Sequence, residues 1–598
     1  MSTAPPKPST AHTKWWVTGF VVIPLVLAAL ALLAGTALAS LVVNGRWIWP
    51  HGAHWGGTLV GLIRHGSTPA QAYDVDQQPF VPGPVWTWTF VAVVAGALIT
   101  GLVHLIKLYN RTLSHPHRMR RQETTRARER AQSAAWATGK DIPQLADNTD
   151  PLRWRIGKFD DTTVATPRLE SLLVMAPTGS GKTASVVVPI VIELCKARVP
   201  KMIPSVKLDV FTLTYAAALE SGPVWTYVPS GNAGIPSSKW NPLGDCKTMS
   251  GTRTMASWLS RSQKVETRGS DNMRYWDELG KTMLAPMLYA AANHGLSLGK
   301  ILEWVRYQAE TEVENLLTAM LTNRPQDTED INDALAMWAA TCAREARTKS
   351  SVYGTAEIIL AGFNHPRIRA LTCGESTDDD VYTPGKLIDS GGTFYITATE
   401  TETQDFGAVF DAIMAQLIHE IETRSQANAG LPIPGGFALI LEEAANIARV
   451  RQLPYVVSAM RGMGLLSMTV WQDEGQIISA YGPETARTIM SNHTWTLYLP
   501  GTNDQLTLEA QSKRIGTYLR VDESAGERPG SGSARLVEEA AAPVRDLAQM
   551  GPGEAILFGP QIKPVKIRTT AWFNNPDVRR HIPAPIAQMF DNAFGGPK

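Results

Sequence analysis

The sequence predicts an α/β chain: a mostly parallel, doubly wound sheet, interrupted by an all-α insertion and preceded by a two-helix transmembrane anchor. Three observations carry that expectation. Two uncharged apolar runs lie near the start of the chain, each longer than the roughly 20 residues that cross a bilayer. Farther on, short apolar runs of buried-strand type alternate with helical stripes, as in strands joined by crossover helices. One of those strands feeds a glycine-rich turn that ends in Lys-Thr and opens a helix, an arrangement that aims backbone N–H groups at phosphate.

The anchor comes first. Trp15 to Val43 is the first apolar run, and Val85 to Ile106 the second, which begins with the interfacial aromatics Trp86 and Trp88 and stops at Lys107. Basic residues then accumulate as Lys107, Arg111, Arg118, Arg120, Arg121, Arg126, Arg128 and Arg130, whereas residues 44–84 carry only Arg46 and Arg64. By the positive-inside rule residues 1–14 and everything after the second span face the cytoplasm, with 44–84 on the far side. Ala37-Leu38-Ala39 has the form of a signal-peptidase site, but the run before it exceeds the roughly 7–15 residues of a signal core. Cleavage there would leave the rest of the chain on the same side. Within the basic linker 107–150, the Arg118–Arg130 cluster reads as an anchor on anionic lipid before it reads as a DNA contact.

Composition limits the remainder. At roughly 100–200 residues per domain, 598 residues make several units. With 56 basic against 55 acidic side chains the net charge is +1, which excludes a polybasic nucleic-acid coat and an acidic tail. Cys195, Cys246, Cys342 and Cys373 form no C-x-x-C pair and read as reduced, buried thiols.

The nucleotide-binding part opens at residues 151–244. The run Ser171–Ala176 is its first strong strand, and Ala176-Pro177-Thr178-Gly179-Ser180-Gly181-Lys182-Thr183 has P-loop form with Ala176 in the first glycine position. Lys182 is placed to reach the β- and γ-phosphates of ATP, Thr183 to ligate Mg²⁺, and a helix is expected over Thr183–Ala197. A partner acid belongs on a neighbouring strand. Phe437–Leu441 followed by Glu442 and Glu443 has that form, with Glu442 holding Mg²⁺ through water and Glu443 orienting the attacking water. The same acids also suit the first turn of an amphipathic helix.

Further strands are expected at Thr393–Thr397, Leu465–Trp471, Trp495–Leu499 and Ala555–Phe558, within a second nucleotide-binding part at 351–575 that ends in a tail at 576–598. The spacing of Phe406, Val409, Phe410, Ile413, Met414, Leu417 and Ile418 predicts a helix between them. Residues 245–350 read as the all-α insertion, with a core stripe of Trp276, Leu279, Met283, Leu284, Met287 and Leu288 and further helices at Leu302–Leu321 and Asp333–Ala346. Ser524–Arg535, rich in Gly, Ser and Pro, reads as a flexible surface loop.

Taken together these motifs resemble the type IV coupling proteins, the inner-membrane DNA-transfer ATPases of conjugation and type IV secretion. The resemblance rests on the anchor, Ile156-Gly157, the P-loop with Pro189 in its helix, Asn241-Pro242-Leu243, Tyr275-Trp276 and the Glu442–Asn446 stretch. It continues through Arg461-Gly-Met-Gly464, Gln472 with Tyr481-Gly482, and Gly553-Glu554. It implies a RecA-like ATPase hydrolysing ATP with Mg²⁺, assembled as a homo-hexamer in the bacterial plasma (inner) membrane. Its partners would be DNA delivered with a relaxase and the proteins of a type IV secretion channel. It also implies that Arg461 reaches a neighbouring subunit's nucleotide and that Gln472 senses the γ-phosphate; without the resemblance they read as a surface arginine and a strand-end amide. Where the family has an Asp-Pro-Lys-Gly-Glu-like stretch, this chain has Ser205-Val-Lys207-Leu-Asp209, so a nucleotide-linked role for Lys207 is weakly indicated. Two alternatives are a septal double-stranded DNA translocase and a non-hydrolysing receptor that recruits protein through the helical insertion. Intact Lys182, Thr183 and Glu443 speak against the receptor.

Overall fold

A computed structural model of the chain describes residues 22–113, 135–146, 149–229, 231, 234–261, 271–372, 380–444, 450–524 and 533–594. They fall into two compact units, residues 1–129 and 130–598. Arg118–Arg130, Cys373 and Asn446 lie outside the described residues.

The first unit is a pair of long apolar helices, α1 (Ile23–Asn44) and α3 (Pro84–Leu113), with the short α2 (Trp55–Arg64) between them. Both long helices are apolar enough to cross a membrane, and Leu25, Val26, Val85, Val93 and Ile99 lie exposed on them. The part of the expected first span before residue 22 is not described, while the second helix runs beyond Ile106. Small residues let α1 and α3 approach: Ala31, Gly35 and Ala39 are buried, and a Cβ on Gly35 would stand 2.5 Å from Val91 Cα. The connection has its own small core of Leu33, Ile48, Leu62, Tyr73 and Val81. Asn44 Nδ2 donates to Phe80 O at 2.8 Å, tying the end of α1 to the turn ahead of α3.

The second unit is built on an eleven-stranded sheet. Its strands are β1 (Arg155–Phe159), β2 (Thr162–Ala165), β3 (Leu172–Met175), β4 (Lys201–Ser205), β5 (Val224–Tyr227), β8 (Thr393–Thr397), β9 (Phe437–Leu441), β10 (Leu465–Trp471), β11 (Trp495–Tyr498), β14 (Glu554–Phe558) and β15 (Val565–Arg568). Between these in the chain come two short pairs, β6 (Lys239–Trp240) with β7 (Val381–Tyr382) and β12 (Thr517–Ser524) with β13 (Ser533–Ala540).

The order across the sheet is β2-β1-β15-β14-β11-β3-β10-β9-β4-β8-β5. From β11 to β5 all neighbours are parallel, and the four strands at the other edge are antiparallel. Every residue of β3, β4, β8, β9, β10 and β11 is buried, because helices cover both faces. That is why β3 and β9 read as continuous apolar runs with no alternation. β10 ends at Trp471, opposite Met175 of β3, which leaves Gln472 just past the carboxyl end of the strand.

Among the described residues every element from Met249–Arg261 to Pro366–Leu371 is helical, so the helical excursion runs past Ser350 and returns at the parallel β6–β7 pair. Met283, Leu284, Met287 and Leu288 are fully buried in its core, with Trp276 and Leu279 packed on it. Ser524 and Ser533–Arg535 differ from the expected surface loop. They are paired in the β12–β13 hairpin, Ser524 opposite Ser533, with residues 525–532 undescribed.

Candidate functional site

The site is assembled at the carboxyl ends of β3, β4, β9 and β10. After β3 the chain turns sharply: Ala176 N donates to Trp471 O at 2.8 Å, holding the start of the loop against the end of β10. Gly179 and Gly181 then take φ of +84° and +81°, conformations open to glycine but costly for a residue with a Cβ. Ser180 Oγ is buried with no hydrogen-bond partner, an unspent polar atom inside a loop of this form.

The following helix departs from the single α-helix expected over Thr183–Ala197. Thr183–Val187 form a turn of π-helix, closed by Val188 N donating to Thr183 O, and the α-helix runs only from Val188 to Lys196. Pro189 explains the change. Lacking an N–H, it leaves the Ser185 carbonyl without its α-helical donor, and the preceding turn relaxes into the wider form.

The two acids after β9 are separated in role by their surroundings. Described residues there form a strand followed by a turn, so Glu442 and Glu443 sit at a strand end and not in a helical first turn. Glu442 is wholly buried. Its Oε1 accepts from Thr183 Oγ1 at 2.7 Å and its Oε2 from Ser205 Oγ at 2.5 Å. Burial, reinforced by the charge of Asp209, pushes its carboxyl above the usual range despite those two donors.

Glu443 has the left-handed φ of +53°, a conformation that costs a non-glycine residue about 1 kcal/mol or more and persists where surroundings impose it. Its Oε1 lies 3.4 Å from Lys182 Nζ and 2.5 Å from Lys207 Nζ. Burial works to raise this carboxyl, but the two lysines, Lys207 foremost, outweigh it and hold Glu443 below the usual range. Asp209 is raised by burial.

Lys207 is therefore closer to the site than its altered motif suggested: its ammonium is the nearer of the two on Glu443. Ser205 was missed. Its signal was its place at the end of a buried strand, but the contact depends on β4 lying beside β9, where Glu442 N donates to Pro204 O at 3.3 Å.

Arg461 lies apart from these residues. It comes before β10, and its Nη2 sits 2.8 Å from Oε1 of Glu170, which precedes β3. Because β3 and β10 are parallel, Arg461 is at the amino end of strands whose carboxyl ends carry the P-loop. Its side chain is 51% exposed. Gln472 follows the last residue of β10, and its backbone N donates to Gln476 Oε1 at 2.9 Å.

Comparison with known proteins agrees with this architecture. The family described as type IV secretory system conjugative DNA transfer matches residues 119–591. The conjugal transfer protein TraG of Agrobacterium fabrum is 24% identical over 241 residues, 39% of this chain and 35% of that protein. TraG of Rhizobium radiobacter is 24% identical over 238 residues, 39% and 36% of the two chains. The matched stretches thus span about a third of the length of these relatives.

Among solved structures, the bacterial conjugative coupling protein TrwBdeltaN70 in unbound form has a TM-score of 0.51 at 15% identity, covering 73% of this chain and 92% of its own. Its form with sulphate gives 0.52 at 16%, over 73% and 93%. The plasmid coupling protein TrwB in complex with ADP and Mg²⁺ gives 0.50 at 15%, over 73% and 93%. At that identity the likeness is one of fold. With four-fifths of its length matched by the family, the chain belongs to the conjugative DNA-transfer family of type IV secretion, the type IV coupling proteins.

Proposed function

We propose that the protein is a membrane-anchored ATPase that moves DNA, delivered with a relaxase, to a type IV secretion channel. The observation that carries the reading is the junction of P-loop and acid pair: Thr183 and Ser205 on Glu442, Lys182 and Lys207 on Glu443. The TrwB structure with ADP and Mg²⁺ supports nucleotide of this kind at such a fold. The residues fit the group, since a hydroxyl beside a buried carboxylate is an oxygen donor set for Mg²⁺, and the loop has an unpartnered Ser180 hydroxyl.

When bound, ATP and Mg²⁺ would supply the phosphoanhydride and a divalent cation to offset its charge. Lys182 offers its ammonium to the β- and γ-phosphates, a move that releases its contact with Glu443. Thr183 and Glu442 hold the metal side, with Ser205 fixing the Glu442 rotamer. Glu443, kept ionised by Lys207, aligns a water and takes its proton. Gln472 stands at the strand end beside the loop and suits contact with the γ-phosphate.

Arg461, half exposed and at the other end of its own strands, suits insertion into a neighbouring subunit's site, which favours a closed homo-hexameric ring. The two apolar helices favour the plasma membrane, with the larger unit cytoplasmic. ATP hydrolysis by the full chain in lipid nanodiscs, titrated with single- and double-stranded DNA, tests the reading. DNA-stimulated turnover that is lost in Lys182→Ala is expected; turnover unchanged by that substitution would overturn it.

A further inference from the structure

We propose that His51, Asp74 and Asp76, on the connection between the two apolar helices, form a binding site for a divalent transition-metal ion, with Zn²⁺ the best match. One ligand atom from each residue lies within 4.8 Å of the others, and His51 Nδ1 is 3.7 Å from Asp74 Oδ2. None of the three belongs to the nucleotide site, and the proposal does not depend on it.

The surroundings decide between an ion pair and a metal site. Gln77 Nε2 lies 3.0 Å from Trp49 O and 3.0 Å from His51 Nδ1. An amide NH₂ only donates, so His51 Nδ1, the nitrogen 3.7 Å from Asp74 Oδ2, is the acceptor from Gln77. Gln77 itself is 8% exposed, and its Oε1 has no hydrogen-bond partner. The amide aimed at His51 therefore carries an unspent acceptor, available as a fourth ligand once a metal takes the Nδ1 lone pair.

The scaffold is fixed by backbone bonds and not by the acidic side chains. Gln77 N and Gln78 N both donate to Asp74 O, at 2.8 and 3.0 Å, and the small core beneath includes Tyr73 and Val81. One imidazole nitrogen with carboxylate and amide oxygens is a donor set for Zn²⁺ or a neighbouring first-row ion; Ca²⁺ and Mg²⁺ prefer oxygen alone. The ion would clip His51 to the turn at residues 74–76 and close the connection on itself.

Equilibrium dialysis of the full chain in lipid nanodiscs against Zn²⁺, with bound metal read by atomic absorption, tests this. Wild type is expected to take up one more Zn²⁺ per chain than His51→Ala or Asp74→Asn, or to bind it roughly tenfold or more tightly. His54→Ala, three residues along the chain and outside the cluster, is expected to bind like wild type. Zn²⁺ should also slow proteolysis of the connection in wild type and not in the two variants. Equal uptake by wild type and both variants, or displacement of Zn²⁺ by equimolar Ca²⁺, would overturn the assignment.

Discussion

Glu443 holds a strained backbone, φ +53°, between two ammonium groups. If its carboxylate takes the proton of the attacking water, Glu443→Gln should slow turnover by about 10²–10⁴-fold while nucleotide affinity, read by equilibrium titration, stays near wild type. Lys207→Ala should lower kcat more than it raises KM, because Lys207 orients Glu443 and Lys182 remains for the phosphates. Lys207→Arg should restore part of the loss; an unchanged kcat in Lys207→Ala would remove Lys207 from the site. The Thr183–Glu442 pairing was legible because each residue sits in a motif with its own spacing. Ser205 and Lys207 were not, because their contacts arise from which strands become neighbours, and no local pattern records that β4 lies beside β9.

A second residue sets an acid limit. His493 is buried between Thr469 Oγ1, 3.0 Å from Nε2, and the Ile489 carbonyl, 2.8 Å from Nδ1. Burial lowers its pKa to about 4 from 6.5. Between those values the unfolded chain binds the proton and the fold does not, so stability is complete above about 6.5 and declines as pH falls toward 4. The decline amounts to at most about 3 kcal/mol. His493→Gln should flatten that part of a melting-temperature profile against pH.

At the level of elements, close packing does most of the specifying. Gly35 faces Val91 at a distance that admits no Cβ, so Gly35→Val should force α1 and α3 apart at a cost of about 1–3 kcal/mol, seen as a lower melting temperature of the full chain in nanodiscs. β3, β8, β9, β10 and β11 were legible in the sequence as mostly apolar runs because both faces are covered, whereas β4, with Lys201, Pro204 and Ser205, was not. The π-turn after the P-loop was hidden in an ordinary Thr-to-Ala helical run; only the missing N–H of Pro189 marks it. The β12–β13 hairpin was hidden for the opposite reason, since Gly, Ser and Pro at its tip read as loop and obscured Ser533–Arg535, which pair as strand.

For the whole molecule, the separation of Arg461 from its own P-loop is the feature with the widest reach. If Arg461 serves a neighbour's site as proposed, hydrolysis depends on assembly, and wild-type turnover per chain should rise steeply with protein density in the nanodisc or vesicle membrane. Arg461→Ala should abolish that rise while leaving nucleotide affinity intact, a pattern that turnover measured across a range of protein-to-lipid ratios would show. The sequence points to that role through family resemblance alone; the residue's neighbours in sequence carry no sign of it, and the contact the structure gives Arg461 is an ion pair with Glu170.

The edge pairing of β1 with β15 joins residues about 410 positions apart, Lys158 opposite Arg568. At about 5–20 residues per second, a ribosome needs on the order of 20–80 seconds to make the strand that completes this edge. During that interval α1 and α3 have already been made, while β1 has only β2 beside it and exposes its other side to any strand that passes. If the chain is membrane-anchored as proposed, ribosomes translating one message along a membrane would hold several such open edges close together, all tethered in one plane. The nascent chains are then most vulnerable to pairing with one another just before Val565–Arg568 emerges, and a message truncated upstream of that strand would fix them in the vulnerable state.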